Sequence, residues 1–243
     1  DAQANGERLS VVFGARLSPS PVRLDLDAQA ELGALVPLWP IPEAARRIRV
    51  RWVASGDSPR FAWQLDASGR GSHGSISRVR GHGTLDLGES SATGEVEATS
   101  LDLRLIVPSG PSTDLTFHSS FRTPTLRWPL AGATLDLDLR PGWAARLPVP
   151  AVQADARLTE GHIELTRLIA VEGEARARLS GRIGYDGSLD ELRLWAQIPD
   201  LASGRTGGAG MRGSLTADLV LGGNLVSGIA AHGSIGAAGL SAG

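Results

Sequence analysis

The sequence predicts an all-β fold, a long curled and mostly antiparallel sheet with little helix, on three observations. Apolar and polar residues alternate with a period of two along most of the chain. Glycine is abundant, at 31 of 243 residues. No apolar period of 3.6 residues persists over three turns. Successive strand side chains point to opposite faces, so alternation describes strands with one apolar and one wet face. That much glycine suits a turn-dense β protein and not a helical one.

Taken in order, Leu9 to Leu17 is a short apolar run broken by Pro19-Ser20-Pro21. Val22, Leu24, Leu26, Ala28, Ala30 and Leu32 then alternate with polar partners, giving strand, turn, strand. Leu35 to Pro42 holds three prolines and suits neither a central strand nor a helix interior. Glu43 to Arg47 is the best helix seed, with proline before it, an acidic first residue and arginines in its last turn. Ile48, Val50 and Trp52 resume the alternation, and Phe61, Trp63, Leu65 and Ala67 continue it.

Gly69 to Gly83 reads as polar and glycine-rich, followed by strands at Thr84–Leu87, Gly94–Ala98 and Leu101–Val107. Further strands are predicted at Leu115–Phe121, Thr125–Trp128 and Thr134–Leu139. Pro141, Pro148 and Pro150 bracket a loop that separates an N-terminal β-rich segment, 1–140, from a second β-repeat segment, 151–243. In the second, Ala175, Leu179 and Ile183 alternate with Arg176, Arg178 and Arg182. Leu192, Leu194 and Ile198 alternate with Arg193, Trp195 and Gln197, and Leu215, Leu219 and Leu221 with Thr216 and Asp218. Asp-Gly at 186–187 and Gly-Gly at 222–223 read as hairpin turns. Loose units of this kind recur at Ala170–Ala202 and Gly213–Gly239, as in repeats that stack and share an apolar face.

Composition narrows function. A net charge of −2 offers no basic stripe for nucleic acid. Without cysteine there are neither disulfides nor thiolate metal sites. No window of eighteen apolar residues exists, so no helix here spans a bilayer. The chain starts at Asp1 and stops amid the alternating pattern, so it reads as a fragment of something longer, with any anchor outside it.

Catalytic motifs are missing. Gly69-Arg70-Gly71-Ser72-His73-Gly74 matches G-x-G-x-x-G, but Ser75–Leu87 after it alternates like a strand, where a dinucleotide site requires a helix. No lysine is present for a P-loop, and H-E-x-x-H does not occur. His73 and His82 share the glycine-rich stretch without a third metal ligand at suitable spacing. Asp136 and Asp138 share a strand face, where solvation explains them. Trp39, Trp52, Trp63, Trp128, Trp143 and Trp195 are irregularly spaced and read as packing at strand ends. The chain reads as a non-enzyme, with no cofactor and no metal.

An apolar sheet face must be covered by a second sheet, by closure, by helices or by a ligand. Helices are missing, which leaves a sandwich or barrel, or an open trough lined for lipid tails. Gly181, Ala217 and Ala231 would keep such a trough open.

Gly161–Ala202 (GHIELTRLIAVEGEARARLSGRIG, then LDELRLWAQIPDL) resembles the AsmA-like superfamily, which includes the TamB- and YhdP-like proteins. Gly213–Gly239 is similar to the repeat of that family, with Leu225-Val226 where a proline is usual. Leu38 to Val53 resembles the W-P…A-R-x-W stretch of the YhdP-like branch. The resemblance implies a periplasmic bridge anchored in the inner membrane, carrying phospholipid along a β-lined groove toward the outer membrane. The groove lining expected on that basis is Leu179, Ile183, Leu192, Leu194, Ile198, Leu215, Leu219 and Leu221. Two other readings stay open. One is an assembly factor pairing with outer-membrane barrel strands by β-augmentation. The other is a structural β-solenoid that fills its own interior.

Overall fold

A computed structural model describes residues 2–4, 7–16, 23–31, 48–71, 74–105, 111–127, 130–201, 211–225 and 227–242. Within them the protein is all-β, an antiparallel sheet fold not closed into a barrel. The chain forms two compact units, one of Asp1–Leu126 with Gly142–Arg146, the other of Arg127–Pro141 with Leu147–Gly243.

The first unit holds β1 (Ala2–Ala4), β2 (Glu7–Arg16), β3 (Arg23–Glu31), β4 (Arg49–Asp57), β5 (Arg60–Arg70), β6 (Ile76–Asp86), β7 (Ser91–Leu101), β8 (Thr113–Thr123) and β10 (Gly142–Ala144). β1 to β8 form an antiparallel meander in chain order, and β10 pairs with β8. Register aligns the alternation across strands, so that Val50, Ala67, Val79, Ala98 and Phe117 form one apolar row. Ala98 in that row is fully buried, with Phe61, Leu101 and Leu105 also buried.

The second unit holds β9 (Thr134–Leu139), β11 (Leu147–Val149), β12 (Ala151–Leu158), β13 (His162–Glu172), β14 (Ala175–Gly184), β15 (Ser188–Ile198), β16 (Met211–Asn224) and β17 (Gly228–Ala242). β9 pairs with β12, and β12 to β17 form a second antiparallel meander. The Asp186-Gly187 turn joins β14 to β15, with Gly187 at φ +82° and Asp186 Oδ1 accepting from the Ser188 amide at 2.9 Å.

Four local expectations need correction. The Gly69–Gly83 stretch is mostly strand, since β5 extends to Arg70 and β6 runs from Ile76 through Gly81 and Gly83. Glycine is used there because the Trp63 indole lies against the backbone: a Cβ at residue 81 would sit 3.0 Å from its Cζ3. Gly222 and Gly223 lie inside β16, and the turn residues Leu225 and Ser227 come after it. Strand structure ends at Leu101, where Asp102 opens a single 3-10 turn over Leu103–Leu105. The buried Asp102 carboxylate accepts from the amide of Arg104 (3.1 Å), a local side-chain bond that competes with a strand ladder, and from the amide of Thr113 (3.3 Å) at the start of β8. Finally, Thr125 to Arg127 bends instead of forming a strand, with the Thr123 hydroxyl donating to the Thr125 carbonyl at 2.5 Å. The proline-rich stretch 35–42 and the helix seed 43–47 lie outside the described residues, as do Trp39, His73 and Trp128.

Candidate functional site

The eight residues expected to line a groove fall on one face of β14, β15 and β16. Leu179 stands opposite Leu194, which stands opposite Leu219. Leu192 faces Leu221, Ile198 faces Leu215, and Ile183 faces Leu189. The central row extends through Leu168 and Ala154 to Leu137 on β9. Rows cross the strands at right angles, so Leu137, Ala154, Leu168, Leu179, Leu194 and Leu219 make an apolar track about 24 Å long, at ~4.8 Å per strand. Beside it runs a row of small side chains, Ala170, Ala177, Ala196 and Ala217. The leucines therefore stand as a ridge along a shallow alanine furrow.

Burial separates two zones of this face. Leu192 is 4 % exposed and Leu189 and Leu165 are also buried, whereas the other seven expected residues are only half-buried. Side chains under a packed second layer would approach full burial. These shield one another within the sheet and still meet solvent. In the buried zone β15 carries an extra residue, Glu191, at φ +51°, where Ser180–Arg182 of β14 faces Arg193–Asp190. Gly181 has φ +139°, and a Cβ there would lie 2.5 Å from the Glu191 carbonyl oxygen. That glycine belongs to the bulge, which requires close backbone approach. Ala217 lies in the furrow, and Ala231 is exposed opposite Leu221.

Alternation alone missed Leu137, Ala154, Leu165, Leu168 and Leu189 as members of this face. A second register shift between Leu165 and Leu168 puts them three residues apart on one face, which hides them from a period-two pattern. The face is otherwise apolar except at its margin, where β13 ends on Glu172, whose Oε1 is buried without a hydrogen-bond partner.

The opposite face of the unit carries the charge. Arg167 donates to Asp155 at 2.6 Å, and this hydrogen bond holds the Asp155 carboxyl below the usual range. Arg182 sits 3.5 Å from Asp190 and 3.4 Å from Glu191. Asp136, opposite Asp155, and Asp138 are exposed on β9. Trp195 projects here from mid-strand, with the Arg178 guanidinium 5.6 Å from its ring centre. Trp52 and Trp63 are mid-strand as well, so strand-end packing describes none of these three.

In the first unit, a depression of about 590 Å³ is lined by Arg51, Asp66, Arg80, His82, Glu95, Glu97 and His118, among others. Its charges answer one another: Arg51 bonds Asp27 at 2.7 Å, Arg80 lies 3.4 Å from Asp66, and His82 lies 3.7 Å from Glu95. Among the described residues no three His, Cys, Asp or Glu side chains are grouped to hold a metal ion. No helix among them is long and apolar enough to cross a membrane. β6 follows the G-x-G-x-x-G stretch, so no helix N-terminus stands where a pyrophosphate would bind. In comparison with known proteins, no family model, curated protein or solved structure matches the chain.

Proposed function

We propose that the apolar face of the second unit shelters phospholipid acyl chains, as one segment of a periplasmic bridge of the AsmA-like kind between inner and outer membranes. The supporting observation is the half-exposed row Leu168–Leu179–Leu194–Leu219 beside its alanine furrow. At ~0.8 kcal/mol per CH₂, a chain of about sixteen carbons needs on the order of 12 kcal/mol of shelter from water. A track running across the strands supplies continuous apolar contact without specific bonds, which is what passage of successive lipids requires. In this reading the inner-membrane anchor lies outside these residues.

The test is a photocrosslinking residue at Leu219, on the track, and at Asp218, on the opposite face, with attached lipid read by mass spectrometry. Phospholipid at 219 and not at 218 is expected. A folded protein that captures lipid at neither position is a β scaffold with a self-sufficient face, and the proposal fails.

A second reading is favoured by β17. Its residues from Gly228 to Ser241 are all exposed, and it carries neither proline nor an acidic or arginine side chain. Strand edges of that kind can accept another strand. Assembly of outer-membrane barrel proteins by β-augmentation would concentrate crosslinks along β17 and leave the leucine track unlabelled.

A further inference from the structure

The wet face of the second unit is wet in only part of its area. Trp195 is 37 % exposed, and Val171 and Val220 on the same face are comparably open. Interleaved with them are Arg176, Arg178 and Arg193, all exposed. Register sets Val171 opposite Arg176, Ile169 opposite Arg178, Arg178 opposite Trp195, and Arg193 opposite Val220. Arg176 and Arg178 project together from β14, and Arg193 lies diagonally across from Arg178, one row over.

These three arginines form no ion pair among the described residues, in contrast to Arg167 and Arg182 of the same face, which each face carboxylates at 2.6–3.5 Å. Arg178 instead stacks its cation on Trp195. Asp218, across from Trp195 on β16, also makes no ion pair there. Like charges set on neighbouring strands repel, and an external anionic surface would relieve that repulsion.

We infer that this face, presenting Arg176, Arg178, Arg193 and Trp195 with Val171 and Val220, docks on the surface of an anionic phospholipid bilayer. Charge complementarity selects the anionic partner. The exposed indole and valines select a bilayer over an acidic polypeptide, because indoles with basic neighbours settle at the headgroup boundary. The site is separate from the leucine track, since it lies on the other side of the same strands.

The experiment is co-sedimentation of the whole chain with phosphatidylcholine vesicles, with and without phosphatidylglycerol. Binding is expected only with phosphatidylglycerol, and it should weaken as salt is raised. At ~1 kcal/mol per basic residue near such a surface, Gln at all three arginines should cut partitioning by about a hundredfold. Asp218→Asn should strengthen binding, and Trp195 emission, taken as the difference from Trp195→Phe, should shift to the blue. Leu194→Glu should leave binding unchanged, so that failure of this surface and failure of the lipid track are read separately. Equal binding to both vesicle types, full binding by the folded triple variant, or no binding at low salt overturns the inference. So does polyglutamate binding where vesicles fail, which would assign the face to an acidic protein.

Discussion

The indole of Trp63 lies against the backbone of Gly94, two strands away, so closely that residue 94 has no room for a side chain. A Cβ there would collide with the indole Cζ2 and come within 2.9 Å of Phe121 Cε1. Trp63 and Phe121 are themselves stacked, with ring centres 6.1 Å apart.

Gly94→Ala should therefore destabilise the first unit by about 1–3 kcal/mol, the usual effect of overpacking. Gly222→Ala is the control, because a Cβ at 222 meets nothing within 4 Å. Urea unfolding of the two variants should show the first with a lowered midpoint and the second at or above the parent. Equal midpoints would show that Trp63 moves aside at no cost.

Leu192 and Leu194 are neighbours in β15 on one face and should respond oppositely to charge. Leu192 is 4 % exposed, so Leu192→Glu buries a carboxylate and should abolish cooperative unfolding. Leu194 is half-buried, so Leu194→Glu should retain the native circular dichroism while losing lipid crosslinking at Leu219. Unfolding of the Leu194 variant would mark the track as closed core.

The Asp102 carboxylate is 1 % exposed and serves the amides of Arg104 and Thr113 where β7 ends. Asp102→Ala leaves those donors without this acceptor and should cost about 1–3 kcal/mol for each one left buried. Asp102→Asn keeps an acceptor oxygen and should cost less. Thermal unfolding of both variants orders them, and the reverse order would reject the hydrogen-bonding account.

Asp27 and Asp155 each accept from an arginine, Arg51 and Arg167 respectively, and those hydrogen bonds hold both carboxyls below their ordinary range. A carboxyl with a lowered folded pKa contributes stability above its unfolded pKa, about 3.9, and loses it as pH falls through the folded value. The contribution should thus be constant near neutrality and vanish only in strong acid. Carboxyl-carbon NMR titration of Arg167→Gln should show Asp155 rising toward the ordinary value and Asp27 unmoved. An unmoved Asp155 would mean that the ion pair does not persist in solution.

Strand, face and much of the order were legible in the chain itself. Alternation along Ala175–Ile183 and Leu215–Leu221 marked one apolar face, because side-chain direction in a strand depends only on parity. Thr134–Leu139 matches β9 residue for residue, since Leu-Asp repetition admits one reading. Parity is also why the chain concealed Leu165 and Leu168, whose shared face depends on a bulge that interrupts the count.

Register belongs to the tertiary structure alone. Nothing local says that Leu179, Leu194 and Leu219 meet in one row, that four alanines form the furrow beside them, or that Arg178 comes to rest on Trp195. Those placements follow from pairings between residues more than ten positions apart in the chain, with bulges at Glu191 and between Leu165 and Leu168 setting the register. Gly81 likewise reads as part of a polar, glycine-rich stretch and Gly94 as the start of a strand, and only the folded sheet shows both making room for an indole. Local sequence thus determined which face of each strand is apolar. Pairing between strands decided how those faces add up to a track, and what stands behind it.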